Sequence, residues 1–373
     1  MHTATAEIAG EPAKRRERSG GRIARRELRS HGSEGLGRPY ILRNIPTYDI
    51  LSEENLLRIE ATADRVLAEI GIEFRDDPVV LDHWKRAGAR IDGNLVKFEP
   101  GMLREILKTA PASFTQHARN PAASVEIGGK SVVFAPAYGC PFVMDLDKGR
   151  RYGTIEDFRN FVKLAQSSPW LHHSGGTICE PVDVPVNKRH LDMVYAHMRY
   201  SDRPFLGSIT APERAADSIA MCRILFGSEF VDQHCVIMGN FNSTSPLVWD
   251  GVSTRGIRTY AEAGQGSIHL PFLMGGAVAP VTLPGAIDQN LAESMVGCAL
   301  TQLVRPGAPA VLGSFLASMS MRSGSPTFGT PEPALGSLVM GQLARRLELP
   351  LRCAGNFSTS KQADAQSMAQ GVM

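Results

Sequence analysis

Short apolar runs alternate with helix-like segments through the second half of the chain. Helical periodicity marks the segments 187–200, 212–226, 252–263, 284–304 and 333–347. The apolar runs between them centre on Thr177, Leu206, Ile237, Leu273, Leu312 and Ala354. Repeats of roughly 30 to 40 residues in this order are typical of βα units in a parallel sheet. The pattern therefore predicts six such units.

Two architectures contain a parallel sheet, and the sequence favours the barrel. A doubly wound sheet is expected to carry a glycine fingerprint such as G-x-G-x-x-G after its first strand, and the chain has none. Polar residues follow the predicted strands, as they do at the carboxyl ends of barrel strands. We predict a TIM (β/α)8-type barrel over residues 171–373. Because such a barrel needs eight units, the chain is expected to be truncated after about six.

An α+β region is predicted over residues 39–170. A helix is expected to begin after Ser52, whose side chain can cap it, and to end at Gly71. Thr154 and Asp157 form a capping box for a further helix. The predicted helices of this region cover 53–70, 77–87, 101–109 and 155–167, and the predicted strands cover 124–127, 131–134 and 142–146. Gly128-Gly129 is expected to be the turn of a hairpin between the first two strands.

Charge is balanced over the chain but not at its start. Forty Lys and Arg residues against 38 Asp and Glu residues provide no global field that would recruit nucleic acid or a membrane. Basic residues crowd residues 14–29, and residues 1–38 contain few large apolar side chains. We predict a disordered basic tail over residues 1–38. No segment is apolar enough for a secretory signal or a membrane span.

The six cysteines have no C-x-x-C spacing, and no zinc-site spacing is present. Reduced thiols in a cytoplasmic protein are therefore expected.

The stretch Ser318 to Met340 is predicted to be a functional loop between a strand and a helix. It is rich in Gly, Ser, Thr and Pro, and Pro331 and Pro333 mark the start of the helix. A loop of about fifteen small residues is longer than most connections, and such loops often bind ligands. A flexible surface loop is the alternative.

The residues at the predicted carboxyl ends of the strands form a mostly neutral set. Amides and hydroxyls predominate, Glu180 is the sole acid, and no lysine lies within a strand. This composition disfavours phosphate handling and imine chemistry. Aromatic residues at or near these ends could instead bind a cation through their ring faces, or they could belong to the core: Phe241, Trp249, Phe315, Phe328 and Phe357.

The sequence resembles the trimethylamine methyltransferase family, corrinoid-dependent enzymes built on a TIM barrel. Five stretches carry the resemblance: RRERSGGRIARR near the start, SPLVWDG at 245–251, GGAVAPVTLPGA at 275–286, SMRSGSPTFGTPE at 320–332 and SKQADAQ at 360–366. The sequence departs from the family pattern at Ser320, where an acidic residue is usual, and in a less acidic loop after Phe357. Both departures bear on the substrate.

The resemblance implies transfer of a methyl group from a methylated amine to the Co(I) of a separate corrinoid protein. The chain shows no pyrrolysine, which implies the branch that acts on quaternary amines such as glycine betaine. In-line attack on an N-methyl carbon needs no general base, because the amine leaves neutral. The partners expected are a corrinoid (cobalamin) protein, a small methylated amine and further copies of this chain, with no nucleic acid and no membrane.

We assign the expected contacts from the strand ends, leave the catalytic residue unassigned and expect no metal site. The substrate contacts are predicted to be Glu180, Asn240, Asn242, Phe315, Arg322, Phe328, Asn356 and Phe357. The corrinoid contacts are predicted to be Ser245, Gly275, Gly276 and Ser323. Two alternatives stay open: another barrel enzyme, such as a lyase or hydrolase with Glu180 as general acid or base, and an inactive truncated fragment.

Overall fold

A parallel sheet lies at the centre of the molecule, and helices flank it. The computed structural model describes residues 41–353, 355 and 357–372, so the predicted basic tail lies outside the described residues. The helices are α1 Glu53–Glu69, α2 Pro78–Ala87, α3 Met102–Leu107, α4 Ile155–Ser167, α5 Arg189–Tyr200, α6 Pro212–Phe226, α7 Ser228–Gln233, α8 Gly251–Glu262, α9 Leu283–Val304, α10 Pro331–Arg346 and α11 Ala365–Gly371. The strands are β1 Ile41–Leu42, β2 Ile72–Phe74, β3 Arg90–Asp92, β4 Leu95–Lys97, β5 Ser113–Gln116, β6 Val125–Gly128, β7 Ser131–Val132, β8 Phe142–Asp145, β9 Gly149–Tyr152, β10 Phe205–Leu206, β11 Ile237–Phe241, β12 Val248–Trp249, β13 Gly266–His269, β14 Phe272–Gly275, β15 Ala310–Met319, β16 Pro326–Thr327 and β17 Leu351–Cys353.

The central sheet confirms the predicted parallel βα units from the second to the sixth. Strands β10, β11, β13, β15 and β17 are neighbours in chain order, and every pair is parallel. Strand β14 continues the path of β13 after Pro271 interrupts it, and it pairs with the later half of β15. Over the described residues this sheet is an open half-barrel in a mixed α/β fold.

The first predicted strand, near Thr177, is wrong as a regular strand. Residues 171–180 run beside β10, and the amides of Ser174 and Leu206 donate to Pro204 and Gly175 respectively. Gly175 has a φ of 88°, a left-handed conformation that interrupts an extended strand. The segment therefore occupies the place of the first strand without its regular ladder.

Alternating side chains divide the half-barrel into an inner and an outer layer. Leu206, Met238, Ile268 and Val311 form an apolar cluster on the inner face. Phe114 and Ile127, from the paired strands β5 and β6, pack against this cluster. Because the Gln116 side chain donates to the carbonyl oxygen of Phe205 at the start of β10, this pair covers the amino ends of the strands. Over the part of the chain that the structure describes, the longer loops of the half-barrel follow the carboxyl ends of its strands.

The region before the half-barrel agrees with most of its predicted elements. Ser52 caps α1, Thr154 and Asp157 form the capping box of α4, and β8 matches the strand predicted at 142–146 and pairs with β9. The hairpin predicted at Gly128-Gly129 is wrong, because β6 pairs with β5 and β7 pairs with β1. Gly128 lies opposite Ser113 in that ladder, where a Cβ atom would approach the Ala112 carbonyl oxygen to 2.3 Å.

Helix α9 joins the two parts of the structure. It is buried on all sides along most of its length, with a few buried polar residues among its apolar ones, and it packs against β15 on one side and against α1, α2 and α3 on the other. Strand β12, which follows the loop after β11, adds in parallel to β2. The half-barrel and the preceding region thus share one hydrophobic core.

Asp288, on α9, is expected to cost stability at neutral pH. Burial raises the pKa of Asp288 to about 6, and its Oδ1 atom has no hydrogen-bond partner among the described residues. A raised folded-state pKa adds stability below the unfolded value of 3.8, and that stability is lost as pH rises through about 6. Allowing for solvent screening, Asp288→Asn should raise the free energy of unfolding at pH 8 by about 1 kcal/mol and leave it nearly unchanged at pH 4. Urea unfolding at both pH values measures this.

The matched control is Glu229→Gln on α7, where the carboxyl group is exposed. It should change the stability little at either pH. If Asp288→Asn raised the free energy of unfolding equally at pH 4 and pH 8, the raised pKa of Asp288 would not be the cause of the effect.

Candidate functional site

Four phenylalanine rings form a cluster at the carboxyl end of the sheet. Phe315 contacts the other three, with ring centroids 4.7 Å from Phe272, 5.9 Å from Phe328 and 5.3 Å from Phe357. Phe328 and Phe357 are 5.4 Å apart. All four side chains are half-buried, so part of their ring surface stays exposed. We call these four residues the Phe cluster; it brings together three of the predicted substrate contacts.

The strand register and a hairpin position the Phe cluster. Phe272 and Phe315 are direct partners in the pairing of β14 with β15. Strand β16 folds back antiparallel on the end of β15, which brings Phe328 next to Phe315. Most of the predicted functional loop is therefore this hairpin, and α10 follows it as predicted. Arg322 and Ser323 lie at its exposed tip.

Arg352, in the last strand β17, extends into the interior of the half-barrel. Its register partner is Gly313 on β15, two residues before Phe315 and on the same face. The guanidinium Nη1 donates to Asn240 Oδ1 of β11 over a distance of 3.4 Å, and its Cζ lies 5.9 Å from the Tyr138 ring centroid. Burial lowers the pKa of Arg352 from its ordinary value.

Two further polar side chains near Arg352 are held in neutral forms. Burial lowers the pKa of His173 to about 3, with smaller contributions from His197 and from the charge of Arg352. Its Nδ1 accepts from the Gly175 amide, so its Nε2 donates to Gln116 Oε1. Burial also raises the pKa of Tyr138 above its ordinary value. Neither group is equipped to exchange protons near pH 7.

Glu180 is engaged in an ion pair. Arg189 of α5 donates to its Oε1 atom and also to the Val184 carbonyl oxygen. The Glu180 amide donates to the Cys140 carbonyl oxygen, which fixes the backbone as well. Glu180, the acid predicted at the end of the first strand, is thus bonded to α5 through its side chain and to the Cys140 backbone through its amide.

The loop after β11 is anchored by a buried carboxylate. Glu293 of α9 accepts hydrogen bonds from the hydroxyls of Ser243 and Ser245, from the Leu247 amide and from the Gln289 side chain. The Ser245 hydroxyl, predicted to contact the corrinoid, is therefore directed toward Glu293. Asn242 lies exposed at the start of the same loop.

The other predicted residues are scattered or differently placed. Gly275 and Gly276 lie at the end of β14, on the same rim as the hairpin tip. Asn356 lies outside the described residues. Phe241 and Trp249 are not at the mouth: both are fully buried on the outer face, where they contact His269, so they are core residues.

The structure adds Arg352 and Tyr138 to the residues expected from the sequence. Arg352 is the one charged residue in the run Leu351–Cys353, and a charge within an apolar strand was the available signal. Tyr138 is brought in by a segment between β7 and β8 that has no strand periodicity. Nothing in the local sequence indicates its position.

Elsewhere in the described residues, a surface cleft is the alternative location for a ligand. Over the described residues, no group of three His, Cys, Asp or Glu side chains is arranged to hold a metal ion. None of the helices described is both long and apolar enough to cross a membrane. A surface cleft of about 390 Å³ lies between α3 and α10, beside the residues that lead into the amino end of β17, and its cations Arg104 and Arg346 are paired with acids.

Comparisons with known proteins agree on one group of enzymes. The family model described as trimethylamine methyltransferase (MTTB) matches residues 18–373. A glycine betaine methyltransferase of Desulfitobacterium hafniense (strain Y51) is 41% identical over 330 residues, which cover 88% of this chain and 69% of that protein. A proline betaine:corrinoid methyltransferase of Eubacterium limosum is 27% identical and is matched over 83% of this chain and 65% of its own length.

A solved structure supports the same fold. The monomethylamine methyltransferase (MtmB) of Methanosarcina barkeri superposes with a TM-score of 0.51 at 10% identity, over 83% of this chain and 69% of that chain. At this identity the likeness shows the fold alone. The chain spans about two thirds of the length of these relatives.

Proposed function

Because the chain belongs to the trimethylamine methyltransferase (MTTB) family, we propose that it transfers a methyl group from a quaternary amine to the Co(I) of a corrinoid on a partner protein. Glycine betaine is the preferred candidate donor, since a glycine betaine methyltransferase is 41% identical to this chain. Relatives named for proline betaine and L-carnitine also act on quaternary amines. The products are then dimethylglycine and the methylated corrinoid.

The observation that carries this proposal is the Phe cluster. A quaternary ammonium is a permanent cation with no proton to donate, so hydrogen-bond acceptors cannot bind it as they bind a protonated amine. Aromatic ring faces attract such a cation and also contact its methyl groups. The half-exposed rings of Phe315, Phe328 and Phe357 at the carboxyl end of the sheet provide this kind of surface.

The rest of the site is suited to positioning. When bound, the corrinoid supplies the Co(I) nucleophile. The amine leaves as a neutral molecule, so the protein needs to align the N–CH3 bond and does not need to move a proton. The neutral His173 and the paired Glu180 are consistent with a reaction that needs no general base.

We further propose how the partners are arranged around this site. The half-barrel follows the strand order of a (β/α)8-type barrel, with the corrinoid protein approaching its exposed rim at Gly276, Arg322 and Ser323. Gly275 ends β14 on the same rim, and the loop that contains Ser245 follows the carboxyl end of β11. The six thiols form no disulfide, which is consistent with a cytoplasmic protein, and we expect a homo-oligomer.

The test is anaerobic methyl transfer with free cobalamin reduced to Co(I) as the acceptor. The 373-residue chain is mixed with this acceptor and glycine betaine, and the loss of Co(I) absorbance and the appearance of dimethylglycine are followed together. The proposal predicts equal amounts of methylated corrinoid and dimethylglycine. No transfer from glycine betaine, proline betaine or L-carnitine would contradict it.

A parallel reaction without corrinoid distinguishes methyl transfer from the alternative lyase or hydrolase chemistry. A lyase or hydrolase that uses Glu180 would consume its substrate with no methyl acceptor present and would lose activity in Glu180→Gln. We expect no consumption of glycine betaine without the acceptor. Product formed under those conditions would favour the alternative.

A further inference from the structure

Arg352 differs in its surroundings from four other partly buried arginines of the chain. No described carboxylate forms an ion pair with it, and its one described hydrogen bond, to Asn240, is long at 3.4 Å. Several arginines of similar burial have acidic partners: Arg104 with Asp64, Arg189 with Glu180, Arg258 with Asp77 and Arg346 with Glu60. A guanidinium in the interior of the half-barrel thus lacks the described counterion that these have.

This arrangement has an energetic consequence. A guanidinium stays protonated in proteins, so Arg352 cannot relieve its desolvation by losing its proton. An uncompensated cation in a partly buried site favours binding of an anion. Its planar fork of donors matches a carboxylate in a bidentate arrangement, and the contact with Asn240 engages one of those donors.

The position of Arg352 relative to the Phe cluster defines the ligand. Arg352 is level with Gly313, and Phe315 lies two residues further along β15 on the same face, which is about 7 Å toward the mouth. An anion site and an aromatic cation site therefore occupy successive levels of the interior. A small zwitterion with both charges a few bonds apart could contact both.

We propose that Arg352 binds the carboxylate of a betaine while the Phe cluster binds its quaternary ammonium, so that the site selects zwitterionic donors over simple methylamines. This inference rests on the proposed function and names its substrate class. A methylated amine without an acid group would leave Arg352 with no partner. Asn240 acts as a positioning residue that orients the guanidinium across the interior.

Binding to the unmodified chain tests the proposal without any corrinoid. Isothermal titration calorimetry compares glycine betaine, tetramethylammonium and 3,3-dimethylbutanoate, in which a neutral carbon replaces the nitrogen. We expect glycine betaine to bind about 30-fold more tightly than tetramethylammonium, the equivalent of two charge-assisted hydrogen bonds in a partly solvated site. The carboxylate analogue should compete with glycine betaine. Equal affinities for glycine betaine and tetramethylammonium would overturn the proposal.

Substitutions then assign the effect to Arg352. Arg352→Gln should weaken glycine betaine binding about 30-fold, leave tetramethylammonium binding unchanged and leave the melting temperature within about 2 °C. Arg352→Lys keeps the charge but not the planar fork of donors. Its affinity for glycine betaine should lie between those of the unmodified chain and Arg352→Gln. Arg199→Gln, on the exposed face of α5, is the matched control and should bind both ligands as the unmodified chain does. A parallel loss for both ligands in Arg352→Gln would indicate a structural role and overturn the proposal.

The two proposals can fail separately. Arg352-dependent binding of glycine betaine with no methyl transfer to Co(I) would leave the carboxylate site standing and reject the enzymatic function. Methyl transfer to Co(I) in which Arg352→Gln has the same KM for glycine betaine as the unmodified chain would support the enzymatic function and reject the carboxylate site. If Arg352→Gln does not fold, the ligand series on the unmodified chain decides.

Discussion

Replacing Phe315 with alanine is expected to lower kcat/KM for glycine betaine about 100-fold, through loss of a cation–π contact and of the ring pairs that hold the cluster. Phe315 is the ring that contacts all three other members of the Phe cluster, so its removal also releases Phe328 and Phe357. Steady-state methyl transfer to Co(I) cobalamin measures the effect. Because the ring binds the donor before reaction, most of the loss should be in KM.

Two matched variants separate the ring from its volume and from general stability. Phe315→Leu keeps an apolar side chain without a π face, and it should raise KM about 10-fold while the protein stays folded. Phe226→Ala removes a half-buried ring that stacks on Phe230, outside the Phe cluster, and should leave KM unchanged. Wild-type kinetics in Phe315→Leu would show that the ring face plays no part in binding.

Glu293→Ala is expected to lower the free energy of unfolding by about 3 kcal/mol, because it leaves several buried donors without an acceptor. The carboxylate is fully buried and receives four hydrogen bonds, three of them from the loop after β11. That loop leads into β12, whose pairing with β2 joins the half-barrel to the preceding region. Urea unfolding followed by circular dichroism measures the change.

The control for this prediction is Glu262→Ala at the end of α8, where the side chain is exposed. Its effect should stay within about 0.5 kcal/mol. Glu293→Gln should be intermediate, since the amide keeps one acceptor but presents donors to donors. If Glu293→Ala were as stable as the unmodified chain, the loop would not depend on this carboxylate.

The sequence was sufficient for the elements whose signal is local. Five helices of the half-barrel, α5, α6, α8, α9 and α10, were predicted with bounds within about two residues, because apolar periodicity and capping residues lie within the helices themselves. The short helix α7 was not predicted. Five of the six predicted parallel strands form as expected. The first failed because Gly175 adopts a left-handed conformation, a feature that an apolar run does not reveal.

The site was predictable only where its residues follow strands. Phe328 and Phe357 follow β16 and β17 as that rule expects, and the structure places them with Phe315, which lies within β15 because that strand continues to Met319. Arg352 was missed because the rule considers only residues that follow a strand. Arg352 lies within β17, where alternate residues face the barrel interior.

Partnerships across the chain could not be predicted at all. Glu293 anchors Ser243 and Ser245 from about fifty residues away, and no local pattern connects a buried acid in an apolar helix with two hydroxyls in a distant loop. The hairpin predicted at Gly128-Gly129 is wrong for a similar reason. Its two strands, β6 and β7, pair with β5 and β1 instead of with each other.

The most direct test of a betaine site in the half-barrel is a crystal structure of the chain with glycine betaine. We predict the trimethylammonium group against the rings of Phe315, Phe328 and Phe357, with the carboxylate within hydrogen-bond distance of the Arg352 guanidinium. Glycine betaine bound elsewhere, such as in the cleft between α3 and α10, with the half-barrel interior filled only by water, would contradict the account.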